Sequence, residues 1–339
     1  MKGKRVLVVG AGGFTGGFIV DEALSRGCEV WAGVRKSTSR EYLSDPRIRF
    51  AVFDFDAPES LAASMRDALE EGEKWDYIVY NLGATKCLRF SDFSRINCDY
   101  LQSFLTALKE VGLEPEKFLY MSSLSAVGPV AEKSGAPITE RDIPLPNTRY
   151  GASKLKAEMI IQMSGVPYII FRATGIYGPR ERDYYLMFQS LARGVDFSVG
   201  FKEQALTILY VTDLARAIFD ALAKAPAGET YNVGNSEAYS GKEFRRYAGK
   251  ALGRSVIIPV RVPLWGLKAV SAIAEKIGAA RGKPSTLNSD KYNIMAQRNW
   301  RIDVSKAEKA FGFKADVGLE EGIGKCVDWY REKGWLKRR

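Results

Sequence analysis

The chain has 339 residues, 46% apolar and 27% charged, with a formal net charge of +10 and no histidine. This composition excludes an intrinsically disordered chain, and the length predicts about two domains, or one large domain with an added lobe. Lysine and arginine are scattered, apart from a short cluster in KGWLKRR, so we predict no nucleic-acid partner.

Cysteine usage and the first residues bear on metal binding and location. Cys28, Cys87, Cys98 and Cys326 form no CxxC pair, so no metal site is predicted and the thiols are expected to be reduced and mostly buried. No segment has the length and apolarity of a transmembrane helix. The start, MKGKRVLVVGAGG, leads directly into a predicted strand and is unlike a signal peptide, so we expect a cytoplasmic protein.

The first half of the chain alternates apolar, β-branched runs with helical segments. Strands are predicted at RVLVVG, CEVWAGV, RIRFAVFDF, WDYIVYNLGA, KFLYMSSLSA and GVPYIIFRATGIYG. Helices are predicted at FTGGFIVDEALSRG, APESLAASMRDALEEG and SRINCDYLQSFLTALKEVG, and another begins near Tyr150. Alternation of this kind predicts βαβ units, and therefore an α/β fold with a Rossmann-type doubly wound parallel sheet.

The second half is less regular. TILYVTDLARAIFDALA and ETYNVGN indicate a return to the sheet, whereas 183–205 and 235–310 contain more proline and glycine. We therefore expect a smaller, mostly C-terminal substrate-binding lobe beside the nucleotide-binding domain. The predicted boundaries are 1–182 plus about 206–234 for the nucleotide-binding domain, and 183–205 plus 235–339 for the lobe.

A glycine-rich turn joins the first strand to the first helix. VVGAGGFTGG places Gly10, Gly13 and Gly16 there. A tight turn, close approach of backbone to a pyrophosphate and close helix–strand packing each exclude a Cβ, and the helix N-terminus attracts phosphate. In this strand–turn–helix context the glycines predict dinucleotide binding rather than a merely structural turn.

The ends of the second and third strands bear on the choice of dinucleotide. An NAD site usually has Asp or Glu after the second strand, but Val34 occupies that place and Arg35 and Lys36 follow. A guanidinium would hold a 2′-phosphate, so the sequence favours NADP(H) over NAD(H), unless Arg35 is only a solvated strand-end residue. Asp54 could accept from the adenine amino group, or could cap the helix that follows.

PNTRYGASK contains the candidate acid–base pair. Tyr150 lies four residues before Lys154, so both point to one face of a helix. An ammonium would lower the tyrosine pKa from its usual value of about 10, and such a pair suits proton transfer during hydride transfer to or from a carbonyl. Ser122 and Ser123 follow the fifth strand at the sheet edge where ligands bind, although either hydroxyl could instead bond the turn backbone.

Together these segments resemble extended short-chain dehydrogenase/reductases, often grouped as NAD-dependent epimerase/dehydratase proteins. The matching segments are GAGGFTG, the Asp54 region, NLGA, INCDY, SSLSAVG, YGASK, RATGIYGP, YVTDLARAI, TYNVGN and DVSKAEKAFGF. The resemblance implies that Tyr150 is the acid/base, that Lys154 tunes it and bonds the nicotinamide ribose, and that Ser123, rather than Ser122, orients the substrate oxygen. The predicted cofactor-binding residues are Gly10, Gly13, Phe14, Thr15, Gly16, Arg35, Lys36, Asp54, Phe55, Leu82, Gly83, Ala84, Asn97, Tyr150, Lys154 and Ile176.

Two branches of that family imply different substrates. Nucleotide-sugar epimerases and dehydratases typically carry an arginine after a glutamine before the YVxDLA-like segment, but here Gln204 is followed by Ala205 and Leu206. The chain more closely resembles 3β-hydroxysteroid dehydrogenases and dihydroflavonol-type reductases, in VRK, GIYGPRERDYYLMF and VPLWGLKAVSAIAEKIGAARGKPSTLNSDKYNIM.

An apolar helix is predicted at 262–277, and it bears on the substrate. It carries Trp265, Leu267, Val270, Ile273 and Ile277, and Tyr184, Tyr185 and Phe188 could line the same side. Such a pocket suits a flat apolar substrate. The alternatives are that this stripe is the core of the small lobe, or that the helix rests on a membrane surface.

We therefore predict an NADP(H)-dependent oxidoreductase that interconverts an alcohol and a ketone on a bulky apolar, steroid- or terpenoid-like substrate. A nucleotide-sugar epimerase, dehydratase or reductase is the first alternative. A non-catalytic NADP(H)-binding scaffold or sensor is the second, although Ser123, Tyr150 and Lys154 argue against it. The resemblance also implies a homodimer through the helices containing 91–111 and 150–164.

Overall fold

The computed structural model describes residues 1–337, and parallel strands form its centre. In chain order the strands are β1 (Arg5–Val9), β2 (Glu29–Val34), β3 (Ile48–Val52), β4 (Tyr77–Tyr80), β5 (Lys117–Met121), β6 (Tyr168–Ala173), β7 (Gly175–Tyr177), β8 (Val195–Val199), β9 (Ala205–Leu206), β10 (Ile208–Tyr210), β11 (Glu229–Val233), β12 (Ile258–Val262) and β13 (Asn299–Trp300).

Helices connect these strands. They are α1 (Phe14–Ser25), α2 (Leu61–Asp67), α3 (Phe90–Ser94), α4 (Tyr100–Glu110), α5 (Arg149–Ser164), α6 (Arg182–Ala192), α7 (Val211–Lys224), α8 (Gly241–Leu252), α9 (Leu264–Ala280), α10 (Ser289–Ala296), α11 (Ser305–Phe311) and α12 (Leu319–Glu332). A π-helical turn, Arg95–Asp99, joins α3 to α4. Within residues 1–337 no helix is both long and apolar enough to cross a membrane.

The main sheet has seven strands in the order β11-β6-β5-β4-β1-β2-β3, and every neighbouring pair is parallel. Alternate residues of β1 point to opposite faces: Val6 and Val8 pack under α1 and α7, whereas Leu7 and Val9 pack under α2 and α4. Covering both faces of a parallel sheet in this way confirms the predicted Rossmann-type doubly wound α/β fold. The strand order reverses between β1 and β4, which places a ligand crevice at their carboxyl ends.

The remaining strands form short parallel pairs outside this sheet: β7 with β10, β8 with β12, and β9 with β13. The predicted sixth strand is therefore divided, because the chain leaves β6 at Thr174 and continues as β7 beside β10. The predicted division into two domains stays a prediction. Residues of the C-terminal third, including Trp300, Ile302 and Phe311, pack in the same core as β6 and β11.

The structure does not place the apolar residues of 262–277 and those of α6 on one side. In α9 only Leu267 and Ser271 are buried. Trp265, Val270, Ile273 and Ile277 are exposed, so they are neither the predicted pocket wall nor lobe core. Phe188 of α6 is instead buried among aromatic rings of α8 and α12, and Tyr184 and Tyr185 pack against the same cluster. Three of the four cysteines, Cys28, Cys98 and Cys326, are buried, which confirms the expectation that most of the thiols are buried.

Candidate active site

The glycine turn lies in the crevice between β1 and β4. Gly10 has a φ of +83°, and a Cβ there would lie 2.9 Å from the backbone nitrogen of Leu82. A Cβ on Gly16 would overlap the carbonyl oxygen of Gly10. Gly13 is the N-cap of α1 and supplies no side-chain acceptor to its first turn. The turn thus leaves helix N–H groups available to an anion, and its geometry fits the pyrophosphate of a dinucleotide.

The first turn of α1 is tied to the end of β4. The Thr15 hydroxyl donates to Asn81 Oδ1 at 3.0 Å. The Phe14 ring, at the start of α1, packs edge-on against Phe18 with ring centroids 5.9 Å apart. Two predicted cofactor segments, the glycine turn and Leu82–Ala84, therefore meet at the switch point.

The end of β2 presents positive charge to solvent. Val34 is buried, and Arg35 and Lys36 after it are exposed. The Arg35 backbone nitrogen donates to Thr38 Oγ1 at 3.0 Å, and the Thr38 nitrogen donates back to the Arg35 carbonyl. This turn fixes the backbone and leaves both cationic side chains free to meet an anion.

The end of β3 presents Asp54, which is exposed. Its Oδ1 accepts from the Asp56 backbone nitrogen at 3.1 Å and forms a local turn. The N-cap of the following helical turn is Ala57, without a side-chain cap, so the capping alternative for Asp54 is wrong. Phe55 is buried and stacks on Tyr100 with centroids 5.3 Å apart, which makes its side chain part of the core.

Asn97 links the turn after β4 to helix α5. Its Oδ1 accepts from the Ala84 backbone nitrogen at 2.8 Å, and its Nδ2 donates to the Ala84 carbonyl at 3.1 Å. Nδ2 also donates to Ser153 Oγ at 2.8 Å, and the Ser153 hydroxyl donates to the Tyr150 carbonyl at 2.7 Å. Asn97 lies in the π-helical turn, a feature often found at functional sites. The Asn97 side chain therefore holds the Ala84 backbone in place and is linked through Ser153 to the Tyr150 carbonyl.

Lys154 is buried beside Gly83. A Cβ on Gly83 would lie 3.0 Å from Lys154 Nζ. The ammonium donates to the Met121 carbonyl at 2.7 Å and to Tyr120 Oη at 3.2 Å. Both acceptors are uncharged, and burial lowers the pKa of Lys154 to about 8.

Tyr150 is the second residue of α5. Thr148 is the N-cap of this helix, and its Oγ1 accepts a hydrogen bond from the Gly151 backbone nitrogen. Burial raises the pKa of Tyr150 to about 12, and the neighbouring Ser123 hydroxyl offsets this only in part. The spacing of Tyr150 and Lys154 predicts that the ammonium lowers this pKa. That expectation is wrong for the protein chain, because loss of water around the phenol dominates.

The two candidate serines have different environments. The Ser122 hydroxyl donates to Glu158, which also pairs with Arg172 at 2.7 Å, and all three side chains are buried. Ser122 is therefore committed to a structural network. Ser123 is half-buried, and its Oγ accepts from the Ser125 nitrogen at 3.2 Å. Its hydroxyl hydrogen remains available for the site near Tyr150.

One neighbour of the candidate tyrosine could not be predicted from local sequence patterns. Asp290 of α10 accepts from the Tyr150 backbone nitrogen at 3.0 Å, across 140 positions of sequence. Asn293 of the same helix donates to the Asn147 carbonyl at 2.9 Å. Asp290 follows Asn288, which caps α10, so its local sequence suggests only a helix start. A carboxylate at the N-terminus of α5 complements the helix dipole.

Ile176 and Gln204 complete the predicted set. Ile176 is half-buried in β7 and packs against the core of the main sheet. The Gln204 amide donates to the carbonyls of Met295 and Gln297, both at 2.6 Å. Leu206 pairs through its backbone with Tyr239. Neither Ala205 nor Leu206, the two residues after Gln204, carries a charged side chain.

The strand order, the glycine turn and the crevice define a dinucleotide-binding protein of the Rossmann type. Residues 6–234 match the model of the NAD dependent epimerase/dehydratase family. The chain belongs to this family and is an NAD(P)-dependent enzyme of the extended short-chain dehydrogenase/reductase type. This result argues against the non-catalytic interpretation.

Individual relatives are distant but extend over the whole chain. The chain is 24% identical to a ceramide reductase of Caulobacter vibrioides, over 98% of this chain and 96% of the relative. It is 26% identical to a dTDP-glucose 4,6-dehydratase of Xanthomonas campestris pv. campestris, over 96% of this chain and 92% of the relative. A solved UDP-glucose 4-epimerase with UDP-glucose from Thermotoga maritima superposes with a TM-score of 0.76 at 20% identity, covering 97% of this chain and 99% of that one. The last similarity shows the shared fold.

Proposed function

We propose that this enzyme reduces a ketone on a bulky apolar substrate to an alcohol, with NADP(H) as cofactor. The observation that carries the proposal is that Ala205 and Leu206 follow Gln204, so this segment offers no cation to a substrate diphosphate. The whole-length similarity to a ceramide reductase supports an apolar substrate. Steroid-like, terpenoid-like and long-chain lipid ketones are the candidate classes.

The proposed roles of the site residues are those that the family resemblance implies. Ser123 donates a hydrogen bond that orients the substrate oxygen, and Tyr150 Oη gives that oxygen its proton. Since burial raises the pKa of Tyr150 to about 12, the phenol is protonated at neutral pH and suits the reductive direction. Lys154 holds the nicotinamide ribose, and Asn97 keeps the Ala84 backbone in place. When bound, the nicotinamide cofactor supplies the hydride.

The preference for NADP(H) rests on Arg35 and Lys36, which lie exposed where an acidic residue would mark an NAD site. Arg35→Ala should raise the KM for NADPH by about 10- to 100-fold, the value of a charge-assisted hydrogen bond, and leave the KM for NADH unchanged. Arg47→Ala, which removes another exposed arginine, is the matched control. Equal KM values for NADPH before and after Arg35→Ala would contradict the preference.

A nucleotide-sugar epimerase or dehydratase is the second candidate, and the names of the curated relatives support it more than a steroid-like substrate. The structure also contains a polar cavity of about 550 Å³ whose lining includes Gln204, Arg298 and Arg301. Arg298 pairs with Glu132 at 3.1 Å. Arg301 and Lys133 also line the cavity, and neither forms an ion pair within the described residues. They are therefore the cations that a diphosphate would use there, and Arg301→Ala tests the role of the first.

A turnover screen separates the two candidates. One panel contains ketosteroids, terpenoid ketones and long-chain keto-lipids, and the other contains UDP-, GDP- and dTDP-sugars, each with NADPH and NADH. Absorbance reports net reduction, and product analysis reports epimerisation or dehydration. Turnover of the apolar panel supports the proposal. Turnover of a sugar nucleotide that falls in Arg301→Ala replaces it with the second candidate.

Tyr150→Phe tests the acid/base assignment with either panel. The variant keeps the aromatic ring but lacks the phenolic hydroxyl that donates the proton, so turnover should fall by about 100- to 10,000-fold. Cofactor affinity, measured by NADPH fluorescence, should be retained. Turnover close to wild type would contradict the role of Tyr150 without affecting the substrate assignment.

We also propose the homodimer and the two-lobe organisation. Helix α5 exposes Met159 and Met163, and Met163 is 87% exposed. Apolar side chains on this helix are consistent with a partner at α4 and α5. Sedimentation velocity of Met163→Glu, compared with wild type, tests the dimer, and limited proteolysis near 183–205 and 235 tests the lobe boundaries.

A further inference from the structure

Helix α9 turns most of its apolar side chains toward solvent. It has 17 residues, and so a length of about 25 Å. Trp265 is 78% exposed and Ile273 is 58% exposed, and Val270 and Ile277 are also exposed. A monomeric protein rarely leaves such a contiguous apolar face uncovered.

The two-stranded ribbon of β8 and β12 continues this face. Phe197 pairs with Val260 across the ribbon, and Ile258 lies two residues earlier on the same side. All three are exposed. The strands end together, since Val199 is in register with Val262, and the chain then reaches Phe201 and Leu264. A Cβ on Gly200 would lie 3.9 Å from Leu264 Cγ, so the ribbon and α9 form one surface.

Positive charge predominates in the segment 254–283, which carries most of this surface. Residues 254–283 contain one acidic residue, Glu275, and it is engaged by the Ser289 hydroxyl and by Arg149. The basic residues of the same segment are all exposed: Arg254, Arg261, Lys268, Lys276, Arg281 and Lys283. Lys268 and Lys276 emerge among the apolar side chains of α9 itself. An apolar face bordered by cations matches the interface of an anionic bilayer, where rings and aliphatic chains enter the acyl boundary and lysines meet headgroups.

We propose that this surface, which we call the α9 face, docks the enzyme on an anionic lipid bilayer. The same charges disfavour a second copy of this chain as the occupant, because a twofold contact would bring like charges together. The proposal goes beyond the reaction and does not depend on the substrate.

The α9 face is coupled to the candidate active site. Arg149, the first residue of α5, lies 3.6 Å from Glu275 of α9. Asp290 of α10, which packs along α9, accepts from the Tyr150 nitrogen. An enzyme docked in this way would hold its acid–base helix next to the membrane surface, where an apolar substrate resides.

Vesicle co-sedimentation tests the proposal with the full-length protein. The vesicles are phosphatidylcholine alone, and phosphatidylcholine with phosphatidylglycerol in equal parts. Wild type should sediment with the anionic vesicles and be released as salt is raised. Lys268→Gln with Lys276→Gln should weaken binding by about 30-fold, from the contribution of each cation near a charged membrane. Lys74→Gln with Lys224→Gln makes the same charge change at exposed lysines elsewhere, and should bind as wild type does.

A second pair of variants tests the apolar contact. Trp265→Glu with Ile273→Glu should abolish binding. Ile143→Glu with Leu145→Glu, at two other exposed apolar side chains, should not. The wild-type fluorescence should shift to the blue on binding, and Trp265→Phe should bind without that shift.

Three results would overturn the proposal. The first is that wild type stays in solution with anionic vesicles. The second is an equal loss of binding in the lysine control pair, which would mean that net charge alone acts. The third is a concentration-dependent oligomer that Trp265→Glu dissociates, which would assign the α9 face to a second copy. Turnover of soluble short-chain ketones, measured in parallel, keeps this test separate from the proposed reaction.

Discussion

Replacing Lys154 with methionine should change how the stability of the protein depends on pH. Burial lowers the pKa of this ammonium from 10.5 to about 8. Between these values the unfolded chain holds a proton that the folded chain has released, so raising the pH through this window stabilises the fold. At neutral pH the buried charge therefore costs about 3 kcal/mol of folding free energy.

Lys154→Met removes that cost and leaves the Met121 carbonyl without its donor, a loss of about 1–3 kcal/mol. At neutral pH the two effects nearly cancel, so the difference between pH values is the informative quantity. The free energy of unfolding of wild type minus that of the variant should rise by about 3 kcal/mol from neutral pH to 10.5. Both proteins contain Tyr150, so its own titration is common to the two profiles.

Urea unfolding followed by circular dichroism, at a series of pH values, measures this difference. Lys156→Met, at an exposed lysine of the same helix, controls for the loss of one lysine and should keep the wild-type dependence. Parallel profiles for wild type and Lys154→Met would refute the argument that Lys154 is a charge buried among uncharged partners. Turnover should be lost in Lys154→Met and kept in Lys156→Met.

Three further substitutions test the supports of the site. Gly16→Ala should destabilise the fold by about 1–3 kcal/mol and abolish NADPH binding, because the added Cβ would overlap backbone atoms. Gly324→Ala is the control, because a Cβ there meets open space. In a fluorescence titration with NADPH and in urea unfolding, this control should behave as wild type does. Glu158→Gln should cost about 3–5 kcal/mol in thermal unfolding by leaving Arg172 buried without its ion pair. Asp290→Ala should cost about 1 kcal/mol as a lost helix cap, and should lower kcat more than it raises KM. An unchanged kcat in Asp290→Ala would mean that the contact between Asp290 and the Tyr150 nitrogen only stabilises the fold.

Local patterns explain what the sequence could predict. Short apolar, β-branched runs and a glycine-rich turn are patterns that a few adjacent residues define. The sheet and its nucleotide crevice were therefore predicted correctly from β1, β2, β4 and the Gly10–Gly16 turn. The helix of 57–72 was predicted too long: it ends at Asp67, and the chain then turns at Gly72 with a φ of +79°.

Contacts between distant segments explain what the sequence could not predict. The commitment of Ser122 to Glu158 depends on how α5 faces β6, which spacing does not reveal. The exposure of α9 was missed for a similar reason. A helix that is apolar on most of its faces carries little information about which face is buried, so only the packed structure distinguishes core from surface.

The contact between Asp290 and the Tyr150 nitrogen also has a consequence for how the protein is made. A ribosome delivers the chain from its N-terminus, and early segments begin to fold as they emerge. Six of the seven strands of the main sheet are complete by Ala173, so the nucleotide crevice can assemble on a partly synthesised chain. The acid–base helix acquires its Asp290 cap only after a further hundred or more residues have been added. Nucleotide binding should therefore precede catalytic competence during synthesis, because α10, which completes the site, emerges after every strand of the main sheet.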